Sequence, residues 1–93
     1  MSKFEWDTAK AVSNFAKHGV AFELARQAFA DPFAVERVDT AHPGEDRIVR
    51  IARAGTSLLT VAYAEHGEVV RIVSARRATR SERDEFYREN SAG

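Results

Sequence analysis

The stretch RIVSARRATRSERDEFYR, from Arg71 to Arg88, passes from a strand pattern to a helix pattern and holds six arginines. Within it, Thr79 and Glu82 form a capping-box signature that marks the start of a helix. Guanidinium groups are permanently charged planar forks, and they suit phosphate oxygens better than ammonium groups do. A chain with no net charge gains no solubility from gathering them here. We therefore interpret this junction as a phosphate-binding region.

Length and composition indicate an ordinary globular protein. The chain has 93 residues, which suffices for one core and one domain over residues 1–93. It has no cysteine, which excludes disulfides, thiolate metal sites and a cysteine nucleophile. The sequence shows neither a signal-peptide pattern nor a run of about 18 apolar residues. We expect a cytoplasmic protein with no membrane partner.

The charges are unevenly distributed along the chain. Residues 1–46 carry five basic and eight acidic groups, whereas residues 47–93 carry nine arginines and six acidic groups. The two parts therefore have net charges of −3 and +3. A local basic surface can steer a nucleic acid, but this imbalance is smaller than that of a dedicated DNA-binding module. A solvated charged face explains the same counts equally well.

Hydrophobic periodicity predicts two helices near the start of the chain. Asp7 is a good N-cap for a helix over Thr8–His18, and Gly19 supplies a left-handed stop. A second helix begins at Phe22 and ends at Asp31-Pro32. The apolar face predicted for the first helix consists of Ala11, Val12, Phe15 and Ala16.

Beyond Pro32 the period changes to two, which predicts a four-stranded antiparallel sheet. A polar loop over Asp39–Asp46 follows the first strand, and a helix anchored by Phe86 follows the last. The predicted strands are Phe33–Val38, Arg47–Arg53, Ser57–Glu65 and Val69–Ala75. The fold class is therefore α+β, with two N-terminal helices, a four-stranded antiparallel sheet and a C-terminal helix.

Strand register decides which arginines can act together. A two-residue loop at His66-Gly67 makes one face of the last hairpin apolar and suited to helix packing. Its predicted pairs are Tyr63 with Val70, Val61 with Ile72 and Leu59 with Ser74. Arg71 and Arg76 have opposite parity, so in a regular strand they point to opposite faces. Both can serve one cleft only if the strand breaks or bends near Ala75.

Familiar metal and cofactor motifs are absent from the sequence. His18, His42 and His66 are far apart and lack the spacing of metal ligands. The sequence also lacks a glycine-rich phosphate loop, a nucleophile elbow and a dinucleotide fingerprint. We therefore predict neither a metal nor a cofactor.

The remaining cations and proton-transfer groups suit RNA cleavage. Attack of a 2′-hydroxyl on its own phosphodiester needs a base, an acid and cations around the phosphorus, and it needs no metal. Each group also has a structural explanation. His18 can cap a helix C-terminus, and Arg47 and Arg50 can be solvated strand positions.

A further set of motifs extends over nearly the whole chain. The motifs are Phe4-Glu-Trp6-Asp7, Lys10, Asn14, Lys17-His18-Gly19-Val20-Ala-Phe22, Phe29-Ala-Asp31-Pro32, and Arg71-Ile-Val-Ser-Ala-Arg76 followed by Ala78-Thr79 and Glu82-Arg83. In this order they resemble the BrnT family of type II toxins. The sequence departs from the family pattern at Ala21, where serine is common, and at Ala52, where glycine is common.

The resemblance implies a ribonuclease with a fold similar to RelE-type toxins, which inhibits translation by cleaving RNA. It also implies neutralisation by a BrnA-like antitoxin in a 2:2 complex, with operator DNA bound only through the antitoxin. A non-catalytic RNA- or protein-binding module, such as a degenerate toxin, is the alternative.

The resemblance places the family's polar pattern on Lys17, His18, His42, Glu45, Arg47, Arg71 and Arg76, and we add Arg50, Arg77 and Arg80 as further basic residues. For catalysis we expect Lys17, His18, Glu45, Arg47, Arg71 and Arg76, and for RNA binding His42, Arg50, Arg77 and Arg80. Arg71 and Arg76 would stabilise the phosphate with help from Arg47. His18 or Glu45 would transfer protons, and Lys17 would position the phosphate or act as an acid. We expect an Arg76→Ala variant to lose toxicity while keeping its fold.

Overall fold

The structure, a computed structural model, describes residues 3–40 and 46–91. The elements are β1 (Lys3–Glu5), α1 (Thr8–His18), α2 (Phe22–Gln27), a 3₁₀ turn (Ala28–Ala30), β2 (Val35–Asp39), β3 (Arg47–Ala54), β4 (Ser57–His66), β5 (Val69–Arg77) and α3 (Arg80–Glu89). No helix within these two ranges is long and apolar enough to cross a membrane.

The five strands form one mixed sheet in the order β1-β5-β4-β3-β2. The α+β class is confirmed, but the predicted four-stranded, purely antiparallel sheet is wrong. The short β1 joins the edge of β5 in parallel, with Phe4 opposite Val70, while all other neighbours are antiparallel. This pairing joins two distant parts of the chain, so no local pattern in the sequence could indicate it.

The predicted helix ends are set by local hydrogen bonds. The Asp7 carboxylate accepts the Lys10 N–H at 3.1 Å, and Gly19 adopts the left-handed conformation with φ of 69°. Thr79 and Glu82 form a reciprocal capping box at the start of α3. The second helix is shorter than predicted, because it tightens into the 3₁₀ turn after Gln27.

The turn between β4 and β5 corrects the predicted register. His66 pairs with Val69, so the loop is Gly67-Glu68 and not His66-Gly67. Gly67 occupies the first loop position with φ of 62°, a conformation that glycine adopts without a steric penalty. The pairing consequently shifts by two residues and places Tyr63 opposite Ile72. A shift of two leaves the side chains of β5 from Val69 to Ile72 on the faces predicted for them.

The main core lies on one face of the sheet, beneath α1 and α2. Phe22, Ala25 and Ala28 of this layer are fully buried, as their spacing predicts. They belong to the same cluster as Leu59, Val61 and Ile72 of the sheet, so the predicted helix-packing face is confirmed. A smaller cluster lies on the opposite face, where Phe86 of α3 packs against Ile51 and Leu58.

One buried amide fixes α1 to the edge of the sheet. Asn14 donates from Nδ2 to the carbonyls of Val20 at 3.0 Å and Ala75 at 2.8 Å. Its Oδ1 accepts the Ala75 N–H at 3.1 Å. Because β1 pairs with β5 only over Val69–Arg71, Asn14 satisfies backbone groups further along that edge.

An Asn14→Ala variant should therefore be strongly destabilised. The substitution leaves buried backbone groups of Val20 and Ala75 without partners, which should lower the free energy of unfolding by about 2–4 kcal/mol. Urea denaturation measures this loss, with the neighbouring exposed Ser13→Ala as the control. Equal stability of the two variants would contradict the bridging role.

Candidate functional site

A β-bulge in β5 places the arginines of this strand on one face. Ala62 pairs with Ser74 and the next residue, Tyr63, pairs with Ile72, so Val73 is an extra residue without an opposite partner. Arg71 lies opposite Ala64, and Arg76 lies opposite Thr60. Because Ala64 and Thr60 are four residues apart on a regular strand, the two arginines share a face. We call this surface, opposite α1 and α2, the arginine face.

The bulge explains why Arg71 and Arg76 lie on one face, although their parity predicts opposite faces in a regular strand. A break was predicted near Ala75, but the irregularity lies at Val73 and the strand continues to Arg77. The bulge also turns Ala75 into the core, in place of the predicted Ser74. Side-chain alternation alone could not indicate an inserted residue.

At the end of the arginine face away from α3, two arginines flank a small central residue. Arg71 is the partner of Ala64, and the β3–β4 register, with Ile48 opposite Tyr63, brings Arg47 to the other side of Ala64. Ala64 is only 1% exposed. The two arginine backbones are therefore about 10 Å apart, two strand spacings. Their long side chains can reach one ligand above this short methyl group.

The charged groups around this pair are arranged symmetrically. Glu5 of β1 lies opposite Arg71, and Asp39 of β2 lies opposite Arg47. The Arg71–Glu5 ion pair is long, at 4.0 Å between Nη1 and Oε1, and both side chains are about half exposed. Such a pair contributes roughly 0–1 kcal/mol, so a phosphate could displace Glu5 at little cost.

Arg76, by contrast, is held by α3. Its Nη1 and Nη2 donate to the two Glu82 carboxylate oxygens at 2.6 and 2.9 Å. Glu82 also accepts the Thr60 hydroxyl at 2.9 Å and the Thr79 N–H at 2.8 Å. The bonds from Arg76 and these two donors lower the pKa of Glu82 to about 2. Glu82 is therefore a fully engaged carboxylate within the α3 junction.

Arg71 and Arg76 consequently do not converge. Their partners on β4 are four residues apart, so at the usual rise of a strand the two arginines lie about 13 Å apart along the sheet. An Arg76→Ala variant would also leave Glu82 buried without its main partner. That the variant keeps its fold stays a prediction, and a test of its activity therefore needs a parallel measurement of its stability.

A depression at the edge of β5 contains the predicted Lys17 and His18. It has a volume of about 220 Å³ and lies between α1 and the bulge residues Val73 and Ser74. Lys10, Ser13 and Asn14 complete its wall. Because Ser74 is opposite Ala62 on the arginine face, the depression adjoins that face.

Lys10 and Ser13 were missed by the site prediction. Lys10 precedes Lys17 by seven residues, or two helical turns, so the spacing alone would have placed both on one side of α1. Arg37 was also missed. It lies on the arginine face opposite Val49, and its guanidinium approaches Glu85 at 3.4 Å and Glu82 at 3.7 Å.

Arg50 has a structural role on the opposite face. Its Nε donates to the Ala28 carbonyl at 2.8 Å, and its Nη2 donates to the Asp31 carbonyl at 3.0 Å. Its Nη1 binds Glu36 at 2.8 Å. These bonds close the end of the 3₁₀ turn, so we do not retain Arg50 among the candidate RNA-binding residues.

A further cavity lies beside Arg50, away from the arginine face. Its volume is about 600 Å³, and its charged residues are two arginines and three glutamates. Among the residues that the structure describes, Arg50 is the only predicted site residue in its wall. We therefore do not place the functional site in this cavity.

The other predicted residues are dispersed. Arg77 lies on the helix-covered face opposite Leu59, and Arg80 is exposed at the start of α3. His42 and Glu45 lie outside the described residues. Within residues 3–40 and 46–91, no three His, Cys, Asp or Glu side chains are grouped so that they could hold a metal ion.

A comparison with known protein families shows to which family the chain belongs. Residues 6–82 match the family described as the ribonuclease toxin, BrnT, of type II toxin-antitoxin systems. The chain belongs to the BrnT family. A comparison with curated proteins gave no significant match. The BrnT match includes α1, strands β2 to β5 and the start of α3. It therefore includes the arginines of β3 and β5 that lie on the arginine face.

The BrnT affiliation has two direct consequences. A ribonuclease toxin acts on RNA, and a type II toxin has a protein antitoxin as its partner. The site of a BrnT chain must therefore accept a polyanion, as the basic residues around Ala64 would allow.

The Glu82 carboxylate should make stability depend on pH. Its pKa falls from an ordinary value of 4.5 to about 2 on folding, so its stabilisation is complete above pH 4.5 and is lost as pH falls toward 2. A Glu82→Gln variant should lose about 2–3 kcal/mol at pH 7 and show a flatter acid profile. Chemical denaturation at several pH values measures both effects. Parallel acid profiles for variant and parent would contradict the assignment.

Proposed function

We propose that this chain is a metal-independent endoribonuclease whose reaction takes place on the arginine face. The observation that carries the proposal is the placement of Arg47 and Arg71 on either side of the buried Ala64. The BrnT affiliation supports RNA as the substrate. Our proposal goes beyond the affiliation by naming the surface and the groups that act.

Arg47 and Arg71 would bind the scissile phosphate. Two guanidinium groups can hold the phosphate oxygens and stabilise the charge that develops as a fifth oxygen approaches phosphorus. The small, partly exposed side chains of Ala62 and Ser74 would leave room for a nucleotide above the sheet. Glu5 is a weak competitor, because its pair with Arg71 is long and exposed.

Proton transfer would come from the depression beside Ser74. The RNA 2′-oxygen forms a bond to phosphorus while the bond to the 5′-oxygen breaks, which leaves a 2′,3′-cyclic phosphate. A base takes the 2′-hydroxyl proton, and an acid gives a proton to the leaving 5′-oxygen. His18, in this depression, would be one candidate for the proton-transfer group, and Glu45, which lies outside the described residues, would be the other. Lys17 would orient the phosphate or act as the acid.

The remaining basic groups would act around this centre. Arg76 is 39% exposed, and its positive charge would extend the binding surface toward α3 while its pair with Glu82 holds that helix. Its role in catalysis is thus secondary to that of Arg71. His42 and Arg80 would contact flanking RNA, whereas Arg77, on the face that packs against α1 and α2, is not retained as an RNA contact.

In the cell, cleavage of RNA in the cytoplasm would inhibit translation. A BrnA-like antitoxin would neutralise the chain in a 2:2 complex, and only the antitoxin would contact operator DNA. Growth arrest on induced expression, reversed by co-expression of the antitoxin, would support this part of the proposal.

Arg71→Ala tests the reaction most cleanly, because the ion pair of Arg71 with Glu5 is long and exposed. Loss of one donor to a developing oxyanion should reduce the cleavage rate by roughly 10²–10³-fold. Arg71→Lys should recover part of the rate, since it restores charge without the planar fork. The measurement is cleavage of purified total RNA, with thermal unfolding as the check on folding.

The matched control is Arg88→Ala, which removes the same charge from the exposed surface of α3. It should cleave RNA at the parent rate. A folded Arg71→Ala variant with undiminished cleavage would refute the assignment. Cleavage by the parent chain should persist in EDTA, whereas tight binding of RNA that stays intact would identify a non-catalytic binding module.

A further inference from the structure

Helix α1 lies against the edge of β5 with its polar side. The sequence predicts a core-facing stripe that includes Val12 and Phe15, but these side chains are 66% and 56% exposed. The buried residue of α1 is instead Asn14, which binds the backbone of Ala75. This orientation brings the polar residues of α1 next to the sheet edge.

The depression beside Ser74 collects positive charge from this polar side. Lys10 and Lys17 lie about one helical turn before and after the buried amide, and Ser13 supplies a hydroxyl to the same wall. Helix α1 contains no acidic residue, and within residues 3–40 and 46–91 neither lysine forms an ion pair. The described residues therefore leave both ammonium groups available to a ligand.

Lys10 occupies a position that the stability of α1 does not explain. Asp7 is the N-cap, and its carboxylate accepts the Lys10 N–H, so Lys10 is the third residue of the helix. Glutamate or glutamine is favoured at this position because it can bind back to the N-cap. A positive charge in the first turn also opposes the helix dipole. The lysine is therefore unfavourable for the helix itself, and the reason for its charge lies outside α1.

The depression lies a short step along the sheet from the position proposed for the scissile phosphate. Ser74 is opposite Ala62, whereas Arg71 is opposite Ala64, two residues further along the same strand. Two residues of a strand span about 7 Å. Neighbouring phosphates of an extended RNA strand are separated by a similar distance. An RNA strand that follows β5 from a phosphate above Ala64 would therefore bring the adjoining phosphate to the depression.

We propose that Lys10 and Ser13 form a subsite for the phosphate next to the scissile one. The inference rests on the reaction proposed for Arg47 and Arg71. Lys10 would hold the adjoining phosphate as a compact positive charge, and Ser13 would donate its hydroxyl to it. Because this phosphate does not react, the subsite binds the substrate and the transition state equally. Lys10 would thus determine the affinity for RNA that has two consecutive charged phosphates.

A Lys10→Ala variant tests the subsite with trinucleotides in which a 2′-methoxy group leaves one cleavable linkage. The other linkage is either a phosphate or an uncharged methylphosphonate, placed on each side of the cleavable linkage in turn. On one side, the charge should lower the parent KM by about tenfold, as for a hydrogen bond to a charged group. Lys10→Ala should lose this difference with kcat within about twofold of the parent, because uniform binding is removed. Lys10→Arg should retain it.

Thermal unfolding distinguishes the subsite from a structural role of Lys10. Lys10→Ala should unfold at the parent temperature or above it, because the substitution removes an unfavourable charge from the first turn of α1. Arg88→Ala is the charge-matched control, since it removes one exposed positive charge from α3. It should retain the full difference in KM between the two linkages.

Equal KM values of the parent chain for the phosphate and methylphosphonate substrates would overturn the subsite. A difference that persists undiminished in Lys10→Ala would also overturn it. If the parent chain cleaves neither substrate, the proposed reaction is refuted, and binding of the same trinucleotides with every 2′-hydroxyl methylated decides on the subsite. The parent should then bind the phosphate form about tenfold more tightly, and Lys10→Ala should bind both forms alike. Equal binding of the two forms by the parent would refute the subsite as well.

Discussion

One inserted residue, Val73, determines how the two faces of the sheet are used. Without this bulge, strand alternation would direct Arg71 and Arg76 to opposite faces and would turn Ala75 away from the core. With it, Ala75 packs beneath the helices and presents its backbone N–H and carbonyl to Asn14. The same irregularity therefore anchors α1, completes the core and gathers Arg71 and Arg76 on the face opposite α1 and α2. The bulge also lies beside the depression at the edge of β5, so it borders the candidate functional site.

The arginines on that surface differ in what surrounds them. Arg76 makes two short bonds to Glu82, whose buried carboxylate also accepts from Thr60, whereas the ion pair of Arg71 with Glu5 is long and exposed. The sequence indicates a phosphate-binding cluster in this region, but it does not show which of these arginines are bound to acidic groups of the fold and which could bind a phosphate. That division depends on which acidic groups the folded chain brings near each guanidinium. Lys17 and His18, in contrast, lie at the end of α1, which the sequence already predicts from the glycine that follows them.

The elements of the fold that were predicted well depend on neighbours in sequence. Asp7, Gly19 and the capping box at Thr79 set helix ends through bonds within a few residues. The parallel pairing of β1 with β5, the Val73 bulge and the Asn14 bridge all depend on contacts between distant segments. The apolar stripe of α1 shows a different limit. Periodicity identified the stripe correctly, but it could not tell a face that packs on the core from one that is exposed.

The most direct test of this account is a structure of the chain with a short RNA whose 2′-hydroxyls are methylated, so that it can bind but cannot react. The account predicts a phosphate above Ala64, within hydrogen-bonding distance of the guanidinium groups of both Arg47 and Arg71. Binding of the RNA backbone to the helix-covered face, or only along α3, would contradict it.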